Sequence, residues 1–281
     1  MEEQKSSLEI EVEAIDYDPF KAVLGKWVSR HVLMRRLFYT ALGALFLRQW
    51  HVRRQLKHIA RTKDIHDIFD AGSGYGQYSY LMSKMFPHAE IQAVDVKAEQ
   101  IEDCRWFLHK RGRRNCHFMV DDLTTFKRPE QFDLALSVDV MEHILDDEAV
   151  YRNVYESLRP GGLFVITTPH TEKENSHIHM ESVIGEHVRE GYTKREFISK
   201  LSHADFTVER MQMIYSPVWG RIAWTLLQRI PMRWLSIWKG FLVLVIPWMV
   251  VVYLPAALCM WLDVHTNNTR GGGWIVTARK G

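Results

Sequence analysis

The densest chemical signal in the chain is the run Ile68-Phe69-Asp70-Ala71-Gly72-Ser73-Gly74-Tyr75-Gly76. Apolar residues lead into a carboxylate and then into three alternating glycines. Such a turn lets backbone approach a ligand where a Cβ would block it. A dinucleotide fingerprint reads G-x-G-x-x-G and offers a helix N-terminus to a pyrophosphate. Here the third glycine arrives one residue early, and Asp70 repels a phosphate but suits an ammonium. Asp70, Ala71, Gly72, Ser73, Gly74 and Gly76 are therefore candidate ligand-binding residues. Asp95 follows the apolar run 91–94, nineteen positions after Gly76, with Val96 beside it. Its carboxylate accepts from both hydroxyls of a ribose. Dehydrogenases also carry an acid at this point, so Asp95 indicates a nucleoside ligand without specifying it. A third acidic site, Asp121-Asp122-Leu123, follows the run 117–120.

These residues need a scaffold that holds strand ends side by side. Apolar runs at 65–70, 91–94, 117–120, 132–138, 163–168, 206–213 and 274–278 read as strands. Helical patterns at 78–85, 99–110, 148–158 and 193–203 separate most of them, and the turn 159–162 precedes the fifth strand. Thr193 with Glu196 forms a capping-box signature for the last of these helices. Alternating strands and helices predict an α/β fold with a parallel sheet flanked on both faces. Around this core, at 64–213 and 271–281, lie an acidic tail (1–20), a helical extension (21–63) and an insert (214–270).

The ordered motifs resemble class I S-adenosylmethionine-dependent methyltransferases. The turn matches D-x-G-x-G-x-G, Ser137-Val138-Asp139-Val140-Met141-Glu142-His143 matches the fourth-strand motif, and Leu158-Arg159-Pro160-Gly161-Gly162-Leu163 the approach to the fifth strand. The resemblance spans about 65–168, and the helix and strand after Thr193 extend it. It implies a Rossmann-like sheet of seven strands with the last one antiparallel, and S-adenosyl-L-methionine as cofactor. It also implies that Asp122 and Leu123 meet the adenine, with Asp121 as the rival acid, and that Val138 lines the site. Met141-Glu142-His143 further resembles the quinone-biosynthesis O-methyltransferases. In part of that group these positions hold a divalent cation, which makes Asp139, Glu142 and His143 candidate metal ligands. Asp139 is shorter than the Glu usual there. Glu142, His143 and His170 are the candidate catalytic residues, since methyl transfer needs an aligned acceptor and removal of its proton. His177 and His179 suit a solvated loop, and His187 and Tyr192 are lesser candidates for the acceptor pocket.

A net charge of +2 over 281 residues gives no argument for nucleic acid. Cys104, Cys116 and Cys259 lack metal-ligand spacing, and Met1 to Ser7 is too polar and acidic for a signal peptide, so a cytoplasmic setting is expected. Five of the ten tryptophans fall between Trp219 and Trp248. The insert's first half is basic and amphipathic, with Arg221, Arg229 and Arg233; its second half, 241–262, carries no charge. Strands on either side must share one side of a membrane, so a single crossing is excluded. With Pro247 and Pro255 interrupting the apolar run, a re-entrant hairpin on the cytoplasmic face is expected. The partner then expected is a lipophilic acceptor that stays in the bilayer. Non-enzymatic scaffolding on a degenerate fold and dehydrogenase chemistry are the competing classes; the intact acidic and glycine set disfavours both.

Overall fold

The computed structural model describes residues 31–173 and 188–281. The strands are β1 (Asp67–Ala71), β2 (Glu90–Asp95), β3 (Cys116–Val120), β4 (Phe132–Val138), β5 (Leu158–Pro169), β6 (Phe206–Ile214) and β7 (Gly273–Lys280). They form one sheet in the order β3-β2-β1-β4-β5-β7-β6. Every pairing among the first five is parallel, whereas β7 runs antiparallel to both β5 and β6. The strand order reverses between β1 and β4, so loops at their carboxyl ends splay apart and leave a crevice.

Near-continuous apolar strands are what a sheet covered on both faces requires. Phe69, Ala135, Phe164 and Ile166 enter the core on one face, while their neighbours Ile68, Leu134, Leu136 and Val165 enter the other. Strand alternation sends adjacent residues to opposite faces. Flanking helices are α3 (Gln77–Met85), α4 (Ala98–Lys110), α5 (Asp147–Ser157) and α6 (Lys194–His203). Thr193 caps α6 as its sequence indicates: its hydroxyl accepts from Glu196 N and its own N–H donates to the Glu196 carboxylate. The 159–162 turn does not precede β5 but bulges within it. Phe132 pairs with Leu158 and Leu134 with Leu163, and Arg159 reaches from the bulge to Asp133 (2.7 Å) and Asp67 (2.8 Å).

The helical extension read over 21–63 is, in its described part, two helices: α1 (Val32–Leu45) and α2 (Leu47–Thr62). Phe46, at φ −104° and ψ 113°, breaks them. The two segments pack on different surfaces, which a straight helix cannot do. Val52, Leu56 and Ile59 seat α2 on the sheet, whereas Tyr39 of α1 stacks among Tyr80 and Phe107.

The insert follows β6 as α7 (Trp219–Trp224), a π-helical turn (Thr225–Arg229) and α8 (Ile230–Ile237). It returns as α9 (Leu242–His265). The expected re-entrant break within 241–262 is absent, and α9 is one helix through both prolines. A proline removes one backbone hydrogen bond, and here a packed stripe sustains the helix. Val252, Ala256 and Met260 meet Ala223 and Leu227, while Trp248 Nε1 donates to Leu226 O (2.9 Å). The hairpin thus forms between the two halves of the insert.

Candidate functional site

The glycine run forms the turn from β1 into α3, at the mouth of the crevice. Gly72, Gly74 and Gly76 have φ of 83°, 49° and 70°, in the left-handed region. At Gly72 a Cβ would also collide with Val140, and at Gly76 it would stand 2.8 Å from Cys104 Sγ. Gly72 and Ser73 donate to Val94 O (2.9 and 3.0 Å), which ties the turn to β2. Asp95 completes the tie by accepting from Gly74 N (2.8 Å) and Lys97 N (3.0 Å). Each of its oxygens keeps further acceptor capacity for a sugar hydroxyl. Val96 beside it is exposed.

Asp70 is buried at the strand end and accepts from the Ser79 hydroxyl. Burial pushes its carboxyl up to about 7, against the Ser79 hydrogen bond and with a smaller push from Asp95. Ser73 Oγ is buried in the same turn without a partner among the described residues. A buried carboxyl short of a counter-charge, an orphaned hydroxyl and glycine backbone with no room for side chains together fit the amino-acid end of S-adenosylmethionine. On the same side of the crevice, after β3, Asp122 is exposed, and one of its oxygens accepts from Thr124 N and Oγ1 (2.8 Å each). Asp121 is half-buried and accepts from Asp122 N. The Leu123 side chain belongs to the core, and Val138 packs at the end of β4.

On the acceptor side, the expected cation ligands are not assembled. Asp139, at φ 53°, pairs with Arg48 and accepts from Thr167 Oγ1 (3.1 Å). Glu142 sits in the 3-10 turn Met141–His143 with its side chain 1% exposed, and His143 is half-buried. Among the described residues no group of three His, Cys, Asp or Glu side chains converges to hold a metal. The local turn points Glu142 into the interior, and Arg48 already neutralises Asp139. Burial raises the Glu142 carboxyl to about 7, while Arg48 and Arg189 pull it down, and its Oε2 has no partner among the described residues. His170 leaves β5 with its N–H on Gly272 O (3.0 Å) and its Nδ1 on Tyr192 O (3.2 Å). A carbonyl there requires Nδ1 to carry the proton, which leaves the Nε2 lone pair free to act as a base. Tyr192 does not line the acceptor side: it is 1% exposed, with its hydroxyl against Asp147 and Met141 O. His177, His179 and His187 lie outside the described residues.

The methyltransferase-domain family matches residues 63–222, more than half of the chain. The protein belongs to that family. An (S)-coclaurine N-methyltransferase of Thalictrum flavum subsp. glaucum is 28% identical over 107 residues, 38% of this chain and 30% of its own length. A trans-aconitate 2-methyltransferase of Enterobacter sp. (strain 638) is 27% identical over 132 residues, 47% and 49% of the two lengths. The chain thus spans less than half the length of these curated relatives. A solved O-methyltransferase from a trans-AT PKS multienzyme of Brevibacillus brevis, in complex with S-adenosyl-L-homocysteine, superposes with a TM-score of 0.58. It is 12% identical and covers 93% of this chain and 79% of its own, a likeness of fold.

Two buried arginines that the motifs do not reveal brace the site. Arg35 of α1 is buried and reaches Asp103 and Tyr75 O (2.9 Å), while the Tyr39 hydroxyl donates to the same carbonyl. The N-terminal extension therefore clamps the glycine turn through Tyr75, the residue before its last glycine. Arg189 binds Asp147 (2.7 Å), Ile144 O (2.9 Å) and Leu145 O (3.0 Å), fixing the chain after Glu142-His143. For Arg35 the available signal was the pair Arg35-Arg36 within an otherwise apolar helical stretch, which reads equally well as a solvated face.

Proposed function

We propose that the protein is an S-adenosylmethionine-dependent methyltransferase acting at a membrane surface on a lipophilic small molecule. The observation that carries this reading is the buried Asp70 within a left-handed glycine turn at the point where the strand order reverses. When bound, S-adenosylmethionine supplies an electrophilic methyl group. Asp70 and Ser73 would hold its amino-acid end, Asp95 with Val96 the ribose, and Asp122 with Leu123 the adenine, while Val138 lines the floor. Binding an ammonium beside Asp70 replaces the missing counter-charge and favours the carboxylate.

On the acceptor side, His170 Nε2 is the base that takes the acceptor proton, with His143 the alternative. Oxygen is the proposed acceptor atom, on the resemblance of Met141-Glu142-His143 to quinone-type O-methyltransferases. The relatives' names span N-, O- and C-methylation, so nitrogen or carbon is the second choice. The membrane setting is supported by the face of α9 turned away from the protein. Val250, Val251 and Leu254 on it are 74%, 73% and 76% exposed. The helix is apolar and long enough to cross a bilayer, yet the ends of the insert that holds it join paired strands of one sheet, so an in-plane hairpin suits it.

The test is incubation of the protein, with and without liposomes, with methyl-labelled S-adenosylmethionine and a total lipid extract. Label in an organic-soluble product, lost in Asp70→Ala, is the expected result. Cofactor binding without any labelled lipid would sink the lipophilic acceptor. Binding with no turnover on any extract would favour a scaffold.

A further inference from the structure

A cavity of about 700 Å³ opens beside the crevice, walled by the start of α2, the first arm of the insert and the glycine loop before β7. Arg48, Arg221 and Arg270 line it, with Tyr215, Trp224 and Gln228, and no lining residue is acidic. Arg48 is spoken for by Asp139, and its guanidinium also lies over the Tyr215 ring at 5.6 Å. For Arg221 and Arg270, no side-chain ion pair or hydrogen bond is present among the described residues. The acid beneath the floor, Asp263, is already held by His51 Nε2 (2.8 Å) and Ser216 N (2.8 Å). Arg221 and Arg270, both exposed to solvent, thus line one concavity without a side-chain counter-ion among the described residues, beside Trp224 and Tyr215.

The cavity adjoins the proposed reaction centre. Arg48 links its wall to Asp139 at the end of β4, and Gly272 in its wall accepts from His170 N. Trp224 and Gln228 belong to the arm that packs on α9, so the cavity also borders the apolar hairpin.

We propose that this cavity binds the anionic group, a carboxylate or a phosphate, of an amphiphilic methyl acceptor through Arg221 and Arg270, with the apolar part of that molecule directed toward the hairpin. Guanidinium groups match both anions in bidentate geometry. An anion held by two of them is a poor nucleophile, so this group is the recognition handle and the methylated atom lies elsewhere on the molecule. The inference rests on the methyltransferase reading only in calling the ligand an acceptor; anion binding itself is measured without cofactor.

The experiment uses the full chain and titrates oleate, lysophosphatidate, acetate, inorganic phosphate and neutral monoolein, following tryptophan fluorescence and heat. Arg221→Gln/Arg270→Gln removes both charges, and Arg152→Gln, exposed on α5 outside the cavity, is the control. Expected are binding of oleate or lysophosphatidate to wild type and control, and a loss of about tenfold or more in the double variant. Whichever of the two binds more tightly identifies the anion. Equal binding of oleate to the double variant and wild type would overturn the proposal, as would monoolein binding as tightly as oleate. Acetate or phosphate binding as tightly as the long-chain probes would overturn the amphiphile. Titration of S-adenosylhomocysteine into the double variant should match wild type, which checks the fold. Failure of wild type to bind it would count against the methyltransferase reading, not against the anion site.

Discussion

Asp70 concentrates the chemistry of the cofactor site because its burial is uncompensated in the free protein. Its carboxyl titrates near 7 rather than near 3.8. Between those values the folded state holds a proton that the unfolded state has lost, so this group makes stability fall as pH rises from about 4 to about 7. A cationic ligand has the opposite preference and needs the carboxylate. Affinity for S-adenosylhomocysteine is therefore expected to rise roughly fivefold from pH 6 to pH 7 by one-proton linkage, and calorimetric titration at the two values checks it. In Asp70→Asn the slope should vanish along with most of the affinity; a slope that persists would assign the proton to another group. Gly72→Ala meets both a left-handed backbone and the Val140 side chain. It should cost about 1–3 kcal/mol in stability and abolish cofactor binding, read by thermal melting and titration.

At the scale of elements, one set of buried polar contacts attaches the N-terminal extension to the family core and a second joins that extension to the insert. Arg35 and Tyr39 converge on the carbonyl of Tyr75, just before the last glycine of the turn. Tyr39→Phe keeps the ring stacking and removes only the hydroxyl. Weaker cofactor binding with little change in Tm is expected, whereas an equal loss in both would reduce Tyr39 to a structural role. The second attachment is His51 with Asp263, where burial lowers the imidazole's affinity for protons despite the adjacent acid. His51 therefore donates as a neutral ring to an ionised Asp263, which also accepts from Ser216 N. Asp263→Ala orphans both donors, and a loss of about 2 kcal/mol or more is expected in denaturant unfolding.

For the whole molecule, the insert and the sheet are bound by one topological fact: β6 and β7 pair along their length while α9 lies between them in sequence. The insert as a whole must start and finish on the side of the sheet, and the outward face of its apolar helix is left to whatever covers it. In the lipid reading, Val250→Asp with Leu254→Asp should abolish co-flotation with liposomes while S-adenosylhomocysteine binding stays at the wild-type level. Retained flotation would move the membrane contact elsewhere.

Much of this was legible in the chain itself. The glycine turn, the acids at strand ends and the alternation of strands and helices follow from local spacing, because backbone conformation at Gly72 and side-chain alternation in β4 are properties of a few consecutive residues. The capping box at Thr193 is legible for the same reason. What local spacing does not encode is which distant groups meet. Asp139 reads as a metal ligand until Arg48, ninety-one positions earlier, occupies it. Glu142 reads as a catalytic acid, yet only the packing around its turn decides that its carboxyl is buried. Pro247 and Pro255 read as breaks, but the stripe of Val252, Ala256 and Met260 against α7 keeps one helix. Tertiary structure decided these points because burial and counter-charge come from neighbours in space, and it alone gathered Arg48, Arg221 and Arg270 around one cavity.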